Sequence, residues 1–246
     1  MPNWCYNSLT VDGSAEDIAK VKAQVSAPFT AVHENWNMQT QKMESKVYSY
    51  DNPIFAFRNI YNHIQDGVPE EVYQAQGTDS GDLKEALMFK GNNWYDWNVR
   101  NWGTKWDVAV SNDEKYPDTH LTDESTTGLS YNFNTAWSPP IEAIIKLSEQ
   151  YPDVTFNLSY EEETGWGGEV EFENGAHATL EEYENKCRDC DALNSMEYCD
   201  NDCGEICNEC NYMGEADLDC VAECDTHKVY LDEDHVPDYR MDQVNV

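Results

Sequence analysis

From Trp4 to Val11 the chain alternates: Cys5, Leu9 and Val11 fall on one side, Trp4, Tyr6 and Thr10 on the other. A period of two predicts a strand with one buried face. Asp12-Gly13 turns the chain. Ser14 then predicts a helix N-cap answered by Asp17 three residues on, and Ile18, Val21 and Val25 form an apolar stripe that ends before Pro28. Phe29 to Met43 shows little regular pattern. A second helix is predicted around Pro53 to Ile64, with Ile54, Phe57, Ile60, Tyr61 and Ile64 on one face. Val68 to Phe89 reads as irregular with helical turns, so positions 29–89 look like an elaboration inserted after the first helix.

Asn92 to Val110 holds four of the eight tryptophans. Trp94, Trp97 and Val99 lie near helical spacing, Gly103 frees a turn, and Trp106, Val108 and Val110 alternate as a strand. So many aromatics at one turn predict the centre of a core, with Trp102 and Trp106 buried. Ser111 to Thr127 is polar and turn-rich. Leu129, Tyr131, Phe133, Thr135 and Trp137 then alternate with Ser130, Asn132 and Asn134. Ser138 is placed to cap a helix that has Pro139 at its first position and Ile141, Ile144, Ile145 and Leu147 on its apolar side. Val154, Phe156, Leu158 and Tyr160 predict another inward-facing strand. A last one sets Val170 and Phe172 against Glu169, Glu171 and Glu173.

Strands with one apolar face need helices on one side only. The order strand, helix, insertion, strand, strand, helix, strand, strand therefore predicts an α+β, two-layer ferredoxin-like sandwich with one strand added. Its expected span is 1–174, with the insertion at about 29–89, followed by an acidic, cysteine-rich tail at 175–246. The uncovered face, carrying Asn132, Asn134, Thr155, Asn157 and Ser159, lacks the stacking rings and positive charge of an RNA platform and reads as solvated.

Charge sharpens this picture. The chain has 48 acidic and 15 basic residues, a formal net of -33. Glu161 to Val246 holds 26 of those acids against 4 of the bases. Such a chain repels nucleic acid and anionic membranes, so direct binding to either is not expected; a partner with a basic surface is. The opening MPNWCYNSL has no basic region followed by an apolar run, and no apolar stretch reaches bilayer length. A cytoplasmic location is expected, in the cytosol of a host cell, where thiols stay reduced.

Eight of the nine cysteines cluster as Cys187-x2-Cys190, Cys199-x3-Cys203, Cys207-x2-Cys210 and Cys220-x3-Cys224. Short spacings let two thiolates grip one ion, and four pairs suffice for two tetrahedral zinc sites. Which pairs share an ion is open, since three arrangements exist; disulfides or idle thiols are the competing readings. Catalytic signals are weak, and no catalytic or cofactor-binding residue is assigned. Cys5 sits on a predicted core face without a neighbouring histidine, and His33, His63, His120 and His177 are scattered. Gly165-x-Gly167-Gly168 leads into a strand, so it lacks the helix N-terminus that a phosphate needs.

Three motifs, MPNWCYNSLTVDG at the start, NWGTKWD in the middle and TAWSPP before the last helix, resemble the YubB-type ferredoxin-like domain of phage and plasmid proteins, a domain of unknown function. The resemblance covers Met1 to Phe172 and implies a ferredoxin-like fold and a mobile-element origin; it supplies no catalytic residues. The expected function is non-enzymatic: an accessory protein that binds a host or competing-element protein, with the acidic tail imitating nucleic acid. The alternative is a metal-dependent enzyme, which needs an open coordination position that all-cysteine sites rarely leave.

Overall fold

The apolar sides of the alternating segments Trp4–Asp12, Gly128–Ala136 and Thr155–Glu162 are buried together with the apolar stripes of two helices. The computed structural model describes residues 3–74, 91–108, 119–187, 192–194, 196–198 and 205–207. Within them the chain runs β1 (Trp4–Asp12), α1 (Ala15–Val25), β2 (Phe29–Asn37), β3 (Lys42–Tyr50), a 3-10 turn (Phe57–Asn59), α2 (Glu70–Tyr73) and α3 (Trp94–Trp102). It continues through β4 (His120–Glu124), β5 (Gly128–Ala136), α4 (Ile141–Gln150), β6 (Thr155–Glu162), β7 (Gly167–Glu173) and β8 (Ala176–Tyr183) to a short pair, β9 (Met196–Tyr198) and β10 (Glu205–Cys207). The main sheet has the order β4-β5-β1-β6-β7-β8. Its first four members, with α1 and α4 as the crossovers, form the β-α-β-β-α-β arrangement of a ferredoxin-like domain. Antiparallel pairing sets Leu9 opposite both Tyr131 and Leu158, so one face is apolar across three strands.

Cys5, Leu9 and Val11 are buried with Leu129, Tyr131, Phe133, Phe156, Leu158, Val170 and Phe172, and Ile18, Val21 and Val25 of α1 and Ala143, Ile144 and Leu147 of α4 are buried with them. Each fully buried side chain of this kind stabilises the fold by roughly 1.5–3 kcal/mol. The α1 cap is as expected: the Asp17 amide donates to Ser14 Oγ at 3.2 Å. The opposite face carries Asn132, Asn134, Thr155, Asn157 and Ser159, all half-buried or exposed, with Trp4 and Tyr6 at one end of β1. Burial pushes the Cys5 thiol up to about 12, so it is an inert core group.

The elaboration between α1 and β4 departs most from expectation. Phe29 to Tyr50 is a β-hairpin, β2 paired with β3 in register from Phe29↔Tyr50 to Asn37↔Lys42. Periodicity missed it because both faces mix polar and apolar residues, and Trp36 and Val47 stay exposed. Its turn is marked by Asn37, whose Oδ1 accepts from the Gln39 and Thr40 amides at 2.8 and 3.2 Å.

The helix expected over Pro53 to Ile64 is only the 3-10 turn. Side chains from elsewhere take the hydrogen bonds a helix would have made: the Asp107 carboxylate accepts from the Phe57 and Arg58 amides at 2.7 and 3.1 Å, and Gln24 and Gln150 donate to the Asn59 and Ile60 carbonyls, each at 3.1 Å. This frees Phe55 and Phe57 to lie over β5, where Phe55 stacks on Phe133 at 5.2 Å.

Two strand expectations shift as well. Gly103 to Trp106 bends rather than extends, and the strand before β5 is His120–Glu124 instead. Beyond the expected last strand, β8 adds another to the sheet. The chain divides into two compact units, Met1–Glu163 with Gly168–Glu181, and Thr164–Gly167 with Glu182–Val246. In the second, an antiparallel bridge joins Lys186 to Leu193, the Cys187 amide donates to the Ala192 carbonyl at 2.9 Å, and β9 pairs with β10.

Candidate functional site

Three stretches far apart in sequence meet at one end of the sheet: Asn3 to Asn7, Asn101 to Asp107 and Thr135 to Pro139. The middle one begins on α3. Asn93 caps that helix, its Oδ1 accepting from the Tyr95 and Asp96 amides, both at 3.1 Å. Helical spacing then divides α3 into two faces. Trp97, Asn98, Asn101 and Trp102 point inward, and Tyr95 and Val99 point outward. Trp102 donates from Nε1 to the Tyr61 carbonyl at 2.9 Å, and Trp97 donates to Asp66 Oδ2 at 2.8 Å. Gly103 ends the helix at φ 82, where a Cβ would lie 3.1 Å from the Pro139 carbonyl oxygen. Glycine is needed there both for the left-handed turn and for the close approach to the start of α4.

The turn after Gly103 is bolted to the end of β5. The Thr104 hydroxyl donates to the Ala136 carbonyl at 3.0 Å, and the Ser138 hydroxyl donates to the Gly103 carbonyl at 2.6 Å. Ser138 therefore does not cap α4, which has Pro140 at its N-cap and no side-chain cap bond. The Thr135 hydroxyl donates to the Ser138 carbonyl at 2.7 Å, and buried Asn7 donates from Nδ2 to Thr135 Oγ1 at 2.9 Å. From the opening stretch, the Asn3 carbonyl accepts from the Trp137 amide at 2.9 Å.

These bonds hold Trp137 at φ 75. A left-handed backbone costs a side chain with a Cβ about 1–2 kcal/mol, and such strain persists only where the surroundings over-determine it. Trp137 also breaks the alternation of β5. It was expected inward, yet it is 42% exposed, because the strand ends at Ala136 and the backbone changes hand to enter α4.

Around Trp137 lies an aromatic surface. Tyr95, 39% exposed, meets it at a centroid distance of 6.1 Å. The Lys105 ammonium sits 4.3 Å from the Trp137 ring centroid, 4.5 Å from that of Trp106 and 5.9 Å from that of Tyr95. Trp106 in turn lies 6.4 Å from Trp4. Trp106, expected in the core beside Trp102, is half-buried and belongs to this surface, whereas Trp102 is 2% exposed. The rings and the ammonium form a cation–π cluster in which each well-placed ring contributes about 0.5–1 kcal/mol. Sequence reasoning found the tryptophans but not their exposure. The signal it passed over was Trp137 directly before Ser-Pro-Pro, where two prolines without N–H groups end the strand ladder.

A buried polar cluster braces the surface from behind. His63 Nε2 lies 2.9 Å from Glu70 Oε2, and its ring stacks on Tyr73 at 3.9 Å. The Tyr73 hydroxyl donates to Asn98 Oδ1 at 2.8 Å, and Asn98 Nδ2 donates to the Lys105 carbonyl at 2.9 Å. Burial holds His63 below its usual range despite Glu70, and pushes Tyr73 up to about 12. The chain of contacts fixes the Lys105 backbone while its side chain stays on the surface.

The zinc-ligand candidates fall mostly outside the described residues: Cys190, Cys199, Cys203, Cys210, Cys220 and Cys224 all do. Cys187 is described and buried, at the start of the reversal closed by Lys186 and Leu193. The backbone of Cys207 lies in β10, opposite Met196. Among the described residues, no group of three or more His, Cys, Asp or Glu is placed to hold a metal.

The sheet order and helix layer define a ferredoxin-like domain. Residues 105–200 match the family model described as the ferredoxin-like domain in Api92-like protein. The chain is also similar to the crystal structure of protein api92 from Yersinia pseudotuberculosis, at 11% identity and a TM-score of 0.41, over 76% of this chain and 99% of that one. No curated protein matches it. No described helix is long and apolar enough to cross a membrane.

Proposed function

We propose that this protein is a non-enzymatic accessory protein of a phage or plasmid, of the YubB type, that acts by binding a basic protein of the host or of a competing element. The observation that carries this reading is the convergence of the three motifs on one rigid, exposed aromatic surface. Exposed Trp and Tyr on a braced backbone bury large area at small entropic cost, the character of an interface anchor. The formal charge of -33 selects the sign of the partner and speeds encounter with it. With its acids at 161–246, the protein competes with nucleic acid for that partner. Tagged full-length protein, incubated with host extract and read by mass spectrometry, is expected to retain a basic, nucleic-acid-handling protein. Added DNA or RNA should displace it, and Trp137→Ala should retain at least tenfold less. Equal retention by wild type and Trp137→Ala, or a partner that holds nucleic acid and this protein together, removes the proposal.

The tail's order is proposed to come from zinc, held by Cys187, Cys190, Cys199, Cys203, Cys207, Cys210, Cys220 and Cys224. Four thiolates around one dication leave a net of about -2 per site, so metal would add order without discharging the tail. Elemental analysis of protein purified without chelator should find about two zinc ions per chain, and about one after Cys187→Ser with Cys190→Ser. Zinc-free protein with titratable thiols or defined disulfides excludes it.

A further inference from the structure

The aromatic surface already holds a cation, and that cation is the chain's own. Lys105 approaches Trp106 and Trp137 at 4.5 and 4.3 Å, with Tyr95 as a third wall at 5.9 Å. Three rings around one ammonium are the recognition geometry of an aromatic cage. Two of the walls are built independently of their occupant. Trp137 is placed by the Asn3 carbonyl and the Thr135–Ser138–Gly103 hydrogen bonds, and Tyr95 by the Asn93 cap of α3. The occupant is held at its backbone by the Asn98–Lys105 bond, and its ammonium meets the rings alone among the described residues. A lysine's four-carbon stem has rotamers by which the ammonium can leave the rings. Among the described residues Lys105 makes no ion pair.

We propose that Tyr95, Trp106 and Trp137 form a cage for the side chain of a lysine or arginine on a partner protein, and that Lys105 occupies the cage in its absence. The proposal deepens the partner-binding reading and rests on it. Charge complementarity argues for this occupant: the rings select a cation, and a chain of net charge -33 concentrates basic partners around it. Exchange replaces one cation–π contact with another, so Lys105 lowers the affinity of the cage without blocking it. A partner's cation that enters also releases Lys105 to pair with the partner's own acids or with solvent. The resident lysine is thus an internal competitor that sets a threshold for binding.

The competition is measurable on the full chain by tryptophan fluorescence at fixed ionic strength. The probes are blocked Gly-Lys-Gly and Gly-Arg-Gly peptides, with tetramethylammonium chloride as the small-cation arm and sodium chloride as the blank. Lys105→Ala is expected to bind the peptides at least tenfold more tightly than wild type, and Lys105→Ala with Trp137→Ala to lose that gain. Lys105→Gln reads the same quantity should the alanine variant unfold. Three outcomes overturn the proposal: no gain in either Lys105 variant, a gain that survives loss of Trp137, or a gain for tetramethylammonium without one for the peptides. Each of these can occur while the pull-down still depends on Trp137, which would leave partner binding standing and remove the cage.

Discussion

Trp102→Ala is expected to destabilise the protein by about 3–5 kcal/mol, the range for removing a fully enclosed large aromatic. Trp102 is 2% exposed, packs 5.9 Å from Phe57 and edge-on to Trp97 at 5.4 Å, and donates to the Tyr61 carbonyl. Its loss would leave a cavity between α3 and the segment around the 3-10 turn, and an unsatisfied carbonyl as well. Trp106→Ala, on the surface cluster, should cost about 1–2 kcal/mol, mainly its cation–π and ring contacts. Urea unfolding of the two variants side by side separates them. If both shift the midpoint equally, the division of the tryptophans into one buried set and one exposed set is wrong.

The second large effect is a pH dependence centred on Asp107. Burial pushes its carboxyl up to about 6, against the Phe57, Arg58 and Val108 amides and the Arg58 charge, which favour the ionised form. The folded value therefore lies above the ordinary one, and between the two the folded state binds more protons than the unfolded. Stability from this group is fully present below about pH 4 and is lost as pH rises through about 6. The two-unit displacement corresponds to about 3 kcal/mol at neutral pH. Asp107→Asn keeps the shape and one acceptor but does not titrate, so its stability should run flatter across that window. Denaturant midpoints from pH 4 to pH 7 test this. A slope unchanged in Asp107→Asn would assign the titration to other carboxylates.

Much of the fold was legible along the chain because its signals are local. Alternation in β1, β5 and β6 and the Ser14 cap with its Ile18-Val21-Val25 stripe all depend on residues within a few positions of one another. So does the helix of Trp94 to Trp102, stopped by Gly103. Those features, with their order, were enough to specify a ferredoxin-like sheet and its apolar side. The β2–β3 hairpin was not legible, since neither of its faces is uniformly buried and burial is what writes a period into sequence.

The site was half legible. Its residues were conspicuous as motifs, but their roles depend on distant partners. Whether Phe57 sits in a helix is decided by Asp107, fifty positions away. Whether Trp137 faces the core or the solvent is decided by Asn3, Gly103 and Thr104, which fix a backbone hand that the alternation of β5 contradicts. Composition determined that this chain is rich in tryptophan and acid, and periodicity determined the sheet. Which rings are buried, and that three of them close around Lys105, was decided only by tertiary hydrogen bonds between segments more than thirty residues apart, which outweigh local propensity because an unpaired buried backbone group costs more than a poor dihedral.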